Sequence, residues 1–349
     1  MSAAKRVLQA MAGAPHGGAE AFFERLVIAL ARAGTDQHVL TRDHADRLAR
    51  LRAAGLAPVA LRFGGWLDVT TRPRFRAEIA RFRPDIVLTW MSRATAFCPA
   101  PPVAGRRFVR VGRLGGYYDA KYYRACDHLI ANTEDIRAWL VGEGFAAGRV
   151  HYLPNFVDAA PAPPLARAAL ETPDGAPLLL ALGRLHANKA FDVLIDALAR
   201  LPDAYLWLAG EGGARAALER RAAERGVAAR VRWLGWRDDV PALLAAADLL
   251  VCPSRVEPLG NVVIEGWAHD VPVVAAASVG PRALIRDGDD GVLVPVDDAA
   301  ALAGALRRLI DDAAVRAGLA RAGRARYEAS FTEAAVVQRY RAFFEKVCD

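Results

Sequence analysis

Two acidic residues, Glu257 and Glu265, flank a glycine-containing turn in the second half of the chain. The turn follows an apolar run at 248–251 that predicts a strand, and Asn261 after Gly260 suits the start of a helix. Glycine lets a ligand approach the backbone, and the free N–H groups of a helix start bind anions. Carboxylates accept hydrogen bonds from hydroxyl groups, so the pattern predicts a site for a polyhydroxylated ligand. Two solvated surface acids are the alternative.

Two cations form a second candidate site after the apolar run 178–182. A strand is expected to end at Gly183 and a helix to begin near Lys189, so Arg184 and Lys189 lie on one strand-end loop. Arginine presents a planar fork of donors and lysine a compact charge, a combination suited to a diphosphate. Two unrelated surface cations are the alternative.

A third candidate is the pair Gly17 and Gly18, between the first predicted strand and its helix. Such a turn can cradle a phosphate, but no Gly-x-Gly-x-x-Gly or Gly-Lys-Ser/Thr motif is present, so the signal is weak and a P-loop is excluded. The neighbouring His16 is a candidate proton shuttle or substrate ligand, an ordinary loop histidine being the alternative. The histidines show no metal-ligand spacing, and no Asp-x-Asp motif follows a strand.

Short apolar runs alternate with helical patterns along the chain, and the alternation occurs twice. Apolar residues at helical spacing at 23–30 and 191–198 predict helices. Strands alternating with helices predict an α/β fold with two doubly wound, Rossmann-like parallel sheets. Ligand sites are then expected at the carboxyl ends of the strands, facing a cleft. The predicted strands lie near 6–11, 37–41, 57–62, 85–90, 107–111, 127–131, 149–153, 177–182, 204–209, 230–234, 248–252, 271–275 and 291–294.

Length and composition agree with this organisation. The 349 residues suit two domains, and 54% hydrophobic residues allow a sizeable core. Five prolines between 158 and 177 oppose regular structure and predict a linker. Four cysteines without Cys-x-x-Cys spacing argue against a disulfide scaffold or zinc module. No run approaches the roughly 20 apolar residues of a membrane-spanning helix, so a cytoplasmic location is expected.

Seven segments, in chain order, carry a joint resemblance: 17–20, 132–133, 154–158, 183–189, 210–212, 257–265 and 285–293. Together they resemble the retaining glycosyltransferases of family 4, which have the two-domain GT-B architecture, and in particular the bacterial lipopolysaccharide and surface-polysaccharide type. One departure is Leu259, where many relatives have an aromatic residue.

The resemblance implies a role for each matching residue. Arg184 and Lys189 would hold the donor diphosphate, Glu257 would contact the donor sugar, and Glu265 would bind the ribose hydroxyls. Glu257, Arg184 and Lys189 are therefore the predicted catalytic residues, and neither a metal ion nor another cofactor is expected. The remaining residues of the predicted donor site are Gly17, Gly18, Leu259, Gly260 and Asn261.

The resemblance also divides the chain. Residues 1–157 would form an acceptor-binding domain and 158–177 the linker. Residues 178–331 would form the domain that binds the nucleotide sugar. A last helix at 332–349 is expected to pack back on the first domain, as in relatives.

Positive charge is concentrated in the first half of the chain, where residues 1–175 contain 24 Lys and Arg against 16 Asp and Glu. Arginines alternate with aromatic residues there, which favours a glycan or glycolipid acceptor and peripheral contact with the anionic inner face of the cytoplasmic membrane. Scattered solvated arginines are the alternative, and no nucleic-acid-binding motif accompanies the charge. The candidate acceptor-binding residues are His16, Arg113 and Tyr117.

The predicted function is metal-independent transfer of a hexose, with retention, from a nucleotide-diphosphate sugar to such an acceptor. A UDP-sugar is favoured as donor and GDP-mannose comes next. The product would enter lipopolysaccharide or surface-polysaccharide synthesis. Two other classes stay open: a non-catalytic protein that binds sugar or nucleotide, and a dinucleotide-dependent oxidoreductase. The missing Gly-x-Gly-x-x-Gly motif argues against the second.

Overall fold

The computed structural model describes residues 5–15, 17–65, 67–157 and 159–348. The chain forms two compact units, each built on one parallel sheet with helices on its faces. Unit 1 comprises Met1–Phe156 and Glu333–Asp349, and unit 2 comprises Val157–Thr332.

Unit 1 contains a seven-stranded parallel sheet. Its strands are β1 (Val7–Met11), β2 (Gln37–Thr41), β3 (Val59–Ala60), β4 (Ile86–Trp90), β5 (Val109–Leu114), β6 (His128–Ala131) and β7 (Val150–Tyr152). They lie in the order β3-β2-β1-β4-β5-β6-β7. Val7 of β1 is in register with Gln37 of β2 and with Ile86 of β4. Strands β1 and β4 are buried along their whole length, which explains their nearly continuous apolar sequences.

Helices cover both faces of this sheet. They are α1 (Gly18–Arg32), α2 (Ala45–Ala53), α3 (Thr71–Phe82), α4 (Met91–Phe97) and α5 (Glu134–Gly142). On one face, Phe22 and Phe23 of α1 pack against Trp90. On the other face, Phe75 and Ile79 of α3 are buried.

Unit 2 contains a six-stranded parallel sheet. Its strands are β8 (Leu178–Leu182), β9 (Tyr205–Ala209), β10 (Val231–Gly235), β11 (Leu249–Cys252), β12 (Val273–Ala276) and β13 (Val292–Val294). They lie in the order β10-β9-β8-β11-β12-β13. The strands predicted from the alternating pattern are present in both units, so the prediction of two doubly wound sheets is confirmed.

The helices of unit 2 complete a doubly wound fold. They are α6 (Phe191–Leu198), α7 (Arg215–Glu224), α8 (Val240–Ala246), α9 (Asn261–Ala268), α10 (Val279–Leu284), α11 (Ala299–Asp311) and α12 (Ala313–Ser330). In α6 the residues at helical spacing, Phe191, Leu194, Ile195 and Leu198, are all buried.

The strand order places the crevice of each sheet. From β1 the chain proceeds to β2 and β3 on one side and then returns to β4 on the other, and β8 has the same relation to β9 and β11. Loops that follow the two central strands therefore diverge and leave a crevice at the carboxyl ends of the strands. In unit 2 the loops that follow β8 and β11 line this crevice.

The last helix, α13 (Glu333–Lys346), belongs to unit 1. Its residues Val336, Tyr340 and Phe344 are buried in the core formed by α1 and the sheet. At its start, Glu333 forms a salt bridge of 2.8 Å with Arg32 at the end of α1. The end of the chain thus contributes to the core of the first unit.

The proline-containing segment at 159–177 lies against unit 2 as an ordered strap. Nη2 of Arg167 donates to the carbonyl of Ala246 at 2.7 Å, and Nε1 of Trp207 donates to Oγ1 of Thr172 at 2.9 Å. Apart from a 3₁₀ turn at Arg167–Leu170, it contains no regular structure in its described residues, as its prolines require. Within the described part of the chain, no helix is both long and apolar enough to cross a membrane.

Candidate active site

The loop after β8 is shaped by Gly183, whose φ of +140° suits only glycine. A Cβ at this position would lie 3.2 Å from Cε of Lys189, so the absence of a side chain leaves room for the lysine. Lys189 ends a 3₁₀ turn (Ala187–Lys189), in which the ring of His186 accepts a hydrogen bond from the amide of Asn188 at 3.2 Å. The loop therefore places the Lys189 ammonium at the crevice of unit 2.

Lys189 forms a salt bridge with Glu257, which follows β11 on the other side of the crevice. Their side chains are only 23% and 12% exposed. Burial acts to lower the pKa of Lys189, but the charge and hydrogen bond of Glu257 outweigh it, and the charge of Glu265 adds to them, so the pKa is raised. Lys189 is thus a fixed cation, and the two predicted acids both lie within its electrostatic reach.

Glu257 is also held through its own loop. Its Oε1 accepts a hydrogen bond from the amide of Gly260 at 3.3 Å, and its carbonyl accepts one from the amide of Gly280 at 2.7 Å. A Cβ on Gly280 would lie 2.5 Å from that carbonyl oxygen. Gly280, at the start of α10, is a site residue that the sequence analysis missed. The only sequence signal at this position was the glycine itself, in Ser-Val-Gly-Pro. It did not indicate that the residue contacts the Glu257 loop.

Helix α9 begins at the crevice, as predicted for Asn261. Gly260 precedes it with φ +81°, and no side chain caps the helix start. The amides of Val263 and Ile264 bond to the carbonyl of Gly260, so the amides before them point ahead of the helix. A helix start of this kind, with its amides and dipole, can attract an anion, and this one lies beside the Lys189–Glu257 pair.

Glu265 and Leu259 flank this helix start. Glu265 lies one turn beyond Asn261 on the same face of α9 and is half-buried. Leu259 is buried, at 8% exposure, so its side chain is not available to a ligand. The donor-binding residues predicted in unit 2 after β11 therefore converge on one end of α9.

Arg184 differs from Lys189 although both occupy the same loop. Its side chain is exposed, and among the described residues no acid and no carbonyl accepts a hydrogen bond from its guanidinium. Lys189 is committed to Glu257, whereas the five N–H donors of Arg184 are available to a ligand. The loop thus contains one cation that is already paired with an acid, Lys189, and one guanidinium that is available to a ligand, Arg184.

Two further glycines fix the path of the same loop. A Cβ on Gly210 would lie 1.9 Å from the carbonyl oxygen of Gly183, and one on Gly212 would lie 2.4 Å from the carbonyl oxygen of Leu185. Both have positive φ, +148° and +155°. The Gly-Glu-Gly segment at 210–212 therefore needs a glycine at each end, because a side chain at either position would push away the loop that carries Arg184 and Lys189.

Arg255 joins the two loops of the crevice and was not predicted. Its Nη1 and Nη2 form a two-fold salt bridge with Asp192 at 2.9 and 2.7 Å, and Nη1 also donates to the carbonyl of Ala187 at 2.8 Å. Its Nε pairs with Asp297 at 2.5 Å. Because Asp192 lies in the first turn of α6, directly after the Lys189 loop, this arginine ties the Glu257 loop to the Lys189 loop.

In unit 1, Gly17 directly precedes α1 and forms the turn after β1 together with Gly13. The carboxylate of Glu20 folds under this turn and accepts a hydrogen bond from the amide of Ala14 at 2.8 Å. A Cβ on Gly17 or Gly13 would lie 2.2 or 2.4 Å from a Glu20 oxygen. Gly18, the first residue of α1, completes the predicted pair. The turn is glycine-rich because it accommodates this acid.

A buried arginine supports the same turn from below. Arg47, with no exposed surface, donates to the carbonyls of Ala14 and Pro15 at 2.6 and 3.2 Å and to Glu24 at 2.9 Å. Glu24 also accepts a bond from Arg50 at 2.7 Å. Burial acts to raise the pKa of the Glu24 carboxyl, but its arginine partners outweigh this and lower it. This charge network holds the turn from inside the unit.

The three predicted acceptor residues have different surroundings. His16 lies outside the described residues. Tyr117 is 44% exposed, donates to Asp135 and packs edge-on against Trp139. Its position is compatible with contact to a substrate.

Arg113 requires a correction, because it is only 2% exposed. Its guanidinium donates to the hydroxyl of Tyr340 at 2.9 Å and to Oδ1 of Asn155 at 2.5 Å, and it lies 4.3 Å from the centre of the Trp90 ring. These partners compensate for burial of the charge. Arg113 therefore joins α13 to the sheet and presents no surface to an acceptor.

No group of metal-ligating side chains occurs among the described residues. The acidic segment 287–290 forms a tight turn. The Asp290 carboxylate is fully buried there and accepts bonds from the amide and Nε of Arg286, both at 2.8 Å.

Comparisons with known proteins agree with the fold. A family model described as "Glycosyltransferase Family 4" matches residues 16–160, and one described as "Glycosyl transferases group 1" matches residues 176–312. The two sheets and the crevice of unit 2 place the chain in the GT-B class. The chain belongs to glycosyltransferase family 4, and it is a glycosyltransferase.

Relatives match nearly the whole chain. The lipopolysaccharide core biosynthesis glycosyltransferase LpsE of Rhizobium meliloti (strain 1021) is 34% identical, over 93% of this chain and 94% of LpsE. LpsD of the same organism, with the same description, is 35% identical over 95% of each chain. The structure of Anabaena HepE in complex with UDP has a TM-score of 0.84 at 21% identity and covers 98% of this chain and 100% of HepE, which supports the fold.

Proposed function

We propose that the protein transfers a hexose, with retention of configuration and without a metal ion, from a nucleotide-diphosphate sugar to a glycan or glycolipid. The observation that carries this proposal is the salt bridge between Lys189 and Glu257 beside the uncapped start of α9. Lys189 and the start of α9 lie together beside Glu257, and Arg184 on the same loop as Lys189 is available to the same diphosphate. An acid is held in place beside them for a sugar.

The chemical task is to stabilise the departing diphosphate. As the bond from the sugar to the diphosphate breaks, negative charge accumulates on the phosphate oxygens. Lys189 and the α9 amides are already oriented and need little reorganisation, while Arg184 can close on the phosphates as a fork. These groups supply the positive charge that a divalent cation supplies in other transferases. Addition of EDTA is therefore expected to leave the transfer rate unchanged.

The two acids have separate roles in this proposal. Glu257, held by Lys189 and by the amide of Gly260, would accept hydrogen bonds from hydroxyls of the donor sugar. Glu265, one turn along α9, would accept those of the ribose. Since the acid that contacts the sugar is already paired with the cation that contacts the phosphate, binding of the two halves of the donor is coupled.

The donor and acceptor are proposed from relatives. HepE has been crystallised with UDP and with UDP-glucose, which supports a UDP-sugar, with GDP-mannose as the next candidate. LpsE and LpsD are described as enzymes of lipopolysaccharide core biosynthesis, which supports a lipopolysaccharide or surface-polysaccharide acceptor. The excess of cations in residues 1–175 supports peripheral contact with the anionic inner face of the cytoplasmic membrane, where such an acceptor is lipid-linked.

Nucleotide binding and nucleotide-sugar hydrolysis test the proposal together. UDP at about 100 times its Kd should raise the Tm by at least ~3 °C, with GDP and ADP giving less. Stabilisation by NAD alone would instead indicate the dinucleotide-dependent alternative. A screen of UDP- and GDP-sugars should identify one donor that is hydrolysed slowly without an acceptor. The anomeric configuration of the transferred sugar, measured by NMR, tests retention.

Glu257→Gln separates catalysis from binding alone. We expect it to lower the hydrolysis rate at least 100-fold while the protein stays folded, because the amide neither pairs with Lys189 nor accepts hydroxyl bonds as a carboxylate does. Glu219→Gln, at an exposed acid of α7 paired with Arg215, is the matched control. UDP binding without turnover of any donor by the wild type would support the non-catalytic alternative.

A further inference from the structure

Unit 1 exposes two aliphatic side chains at the tip of a loop before α3. Val69 is 80% exposed and Leu67 is 70% exposed, the two highest values among the large apolar side chains of the described residues. Isolated exposed aliphatic residues are common, but two on one short loop at this level of exposure indicate a contact surface. We call the segment 67–70 the apolar tip.

The apolar tip is held rigidly by Asp68, which lies between the two exposed side chains. Its carboxylate accepts hydrogen bonds from the amides of Gly64, Thr70 and Thr71 at 2.7, 3.0 and 3.0 Å and from the hydroxyl of Thr71 at 2.5 Å. The aspartate is therefore satisfied within the loop. These bonds hold the backbone in a shape that exposes Leu67 and Val69. The loop therefore pays little additional entropy for ordering when it binds a partner.

The base of the loop is anchored in the core. The amide of Phe63 donates to the hydroxyl of Thr71 at 3.0 Å, and the fully buried Phe63 ring packs against Phe75 and Phe97. Nη1 of Arg93 donates to the carbonyls of Phe63 and Gly64, both at 3.2 Å. The apolar tip is thus a projection with a fixed base.

Arginines flank the tip in sequence and have no acidic partners among the described residues. Arg62 precedes the loop, and Arg72, Arg74 and Arg76 occupy the first two turns of α3, within ~9 Å of its start along the axis. All four are exposed, and no acid of the described residues forms a salt bridge with any of them. Arg72 donates to the carbonyl of Ala96. The one acid between positions 62 and 77 is Asp68, whose bonds are used inside the loop.

We propose that the apolar tip and these four arginines dock unit 1 on an anionic lipid bilayer, with Leu67 and Val69 entering the acyl boundary and the arginines contacting lipid phosphates. Aliphatic side chains gain from contact with hydrocarbon, whereas binding of nucleic acid bases relies on aromatic stacking. Arginine forks pair well with phosphate oxygens. This inference rests on the proposed peripheral membrane contact and assigns that contact to one surface.

Sedimentation with vesicles tests the proposal. The full-length protein is mixed with vesicles of phosphatidylcholine containing 30% phosphatidylglycerol and with vesicles of phosphatidylcholine alone. We expect the wild type to bind the anionic vesicles more strongly. Leu67→Ser/Val69→Ser should weaken that binding at least tenfold, and Arg74→Gln/Arg76→Gln should weaken it and reduce its dependence on salt. Matched controls are Val141→Ser, at another exposed valine of unit 1, and Arg200→Gln/Arg220→Gln in unit 2.

Donor hydrolysis in solution, without vesicles, separates this surface from the active site. The tip and arginine variants should hydrolyse the donor like the wild type and keep its Tm. Wild-type binding to anionic vesicles by both variants would overturn the assignment of this surface. Failure of the wild type itself to bind, with hydrolysis intact, would overturn membrane docking but not glycosyl transfer. Loss of binding to single-stranded DNA in the arginine variant, with vesicle binding unaffected, would favour nucleic acid and also overturn the proposal.

Discussion

The two units contain equivalent glycine-rich turns that use charge in opposite ways. The turn after β1 holds its charged partners underneath, where Glu20 and Arg47 bond to its backbone. The turn after β8 presents its charged residues to the crevice, where Arg184 is exposed and Lys189 pairs with Glu257 from the neighbouring loop. Both turns occupy the same place in a doubly wound sheet.

This difference indicates a division of work. Under the proposed function, the fixed charges of unit 2 contact the ligand themselves, so a change of one charge should affect the chemistry directly. In unit 1 the charges determine only the shape of a backbone turn, so a change there should act through geometry and have a smaller effect. Substitutions in the two turns can therefore be compared on one scale of free energy.

The largest effect is expected for Lys189→Ala. It removes the half-buried cation and leaves the Glu257 carboxylate without its partner. The unpaired carboxylate would then repel the diphosphate. We expect kcat/KM to fall at least 10³-fold, about 4 kcal/mol. The measurement is steady-state transfer or donor hydrolysis, with Lys346→Ala at an exposed lysine of α13 as the matched control. Activity within tenfold of the wild type would remove Lys189 from the catalytic residues.

The next largest effect is expected for Gly280→Ala, which tests the Glu257 loop without altering a charge. The new Cβ would lie 2.5 Å from the Glu257 carbonyl and 2.7 Å from the Leu259 carbonyl carbon, both backbone atoms that cannot rotate away. We expect a loss of about 2–3 kcal/mol in unfolding free energy, together with weaker UDP binding.

Gly304→Ala is the control for Gly280→Ala. Gly304 lies inside α11, and a Cβ there would meet no atom within 4 Å, so this change should stabilise the protein by about 0.5–1 kcal/mol. Chemical unfolding and UDP titration measure both variants. Equal stabilities for the two variants would contradict the close approach of α10 to the Glu257 loop.

The strands, and the loops that follow β8 and β11, could be predicted from the sequence for a physical reason. A strand that is buried on both faces, such as β8, has to be apolar throughout, and its end is marked where polar residues begin at Gly183. Each donor loop is local in sequence. Only the family resemblance assigned Lys189 and Glu257 to one site, and their salt bridge was not predicted.

Other features depend on contacts between distant residues and left no local signal. Arg113 was predicted to bind the acceptor because it is a cation among aromatic residues. In the structure other aromatic residues, Phe22 and Trp90, pack on its guanidinium, and its hydrogen-bond partner Tyr340 is 227 positions away. The constraint on Gly280 likewise comes from a carbonyl in another loop. Neither periodicity nor composition reports such pairings.

A smaller effect is expected in the turn of unit 1. Glu20→Ala removes the acceptor of the Ala14 amide and leaves a gap beneath Gly13 and Gly17. We expect kcat to fall about tenfold, or about 1.4 kcal/mol, while the Kd for UDP stays unchanged. Glu20→Gln, which keeps an oxygen for that amide, should recover most of the activity. A lower Tm without any change in kcat would mean that Glu20 only stabilises the fold.

The smallest effect is a pH dependence confined to unit 1. Nδ1 of His128 lies 3.1 Å from Nε2 of His151, and the edge of the Phe343 ring from α13 packs on His151. Burial, together with the charges of His128, Lys346 and Arg137, lowers the pKa of His151 to about 4, and burial also lowers the pKa of His128. The folded pair is therefore neutral at pH values at which the unfolded histidines already bind protons.

The sign of the effect follows from linkage. Since the folded pKa lies below the unfolded value, stability is full above the unfolded pKa near 6.5 and falls as the pH drops from there toward 4. With both rings partly exposed, we expect unit 1 to lose about 1 kcal/mol of unfolding free energy between pH 7 and pH 5.

Hydrogen exchange, expressed as the free energy of opening, should show this loss in peptides from β7 and α13. His151→Gln should reduce the loss, although His38, whose pKa burial also lowers, will leave a residual dependence. Equal losses in β7 and in β8 would show that acid sensitivity does not distinguish the two units.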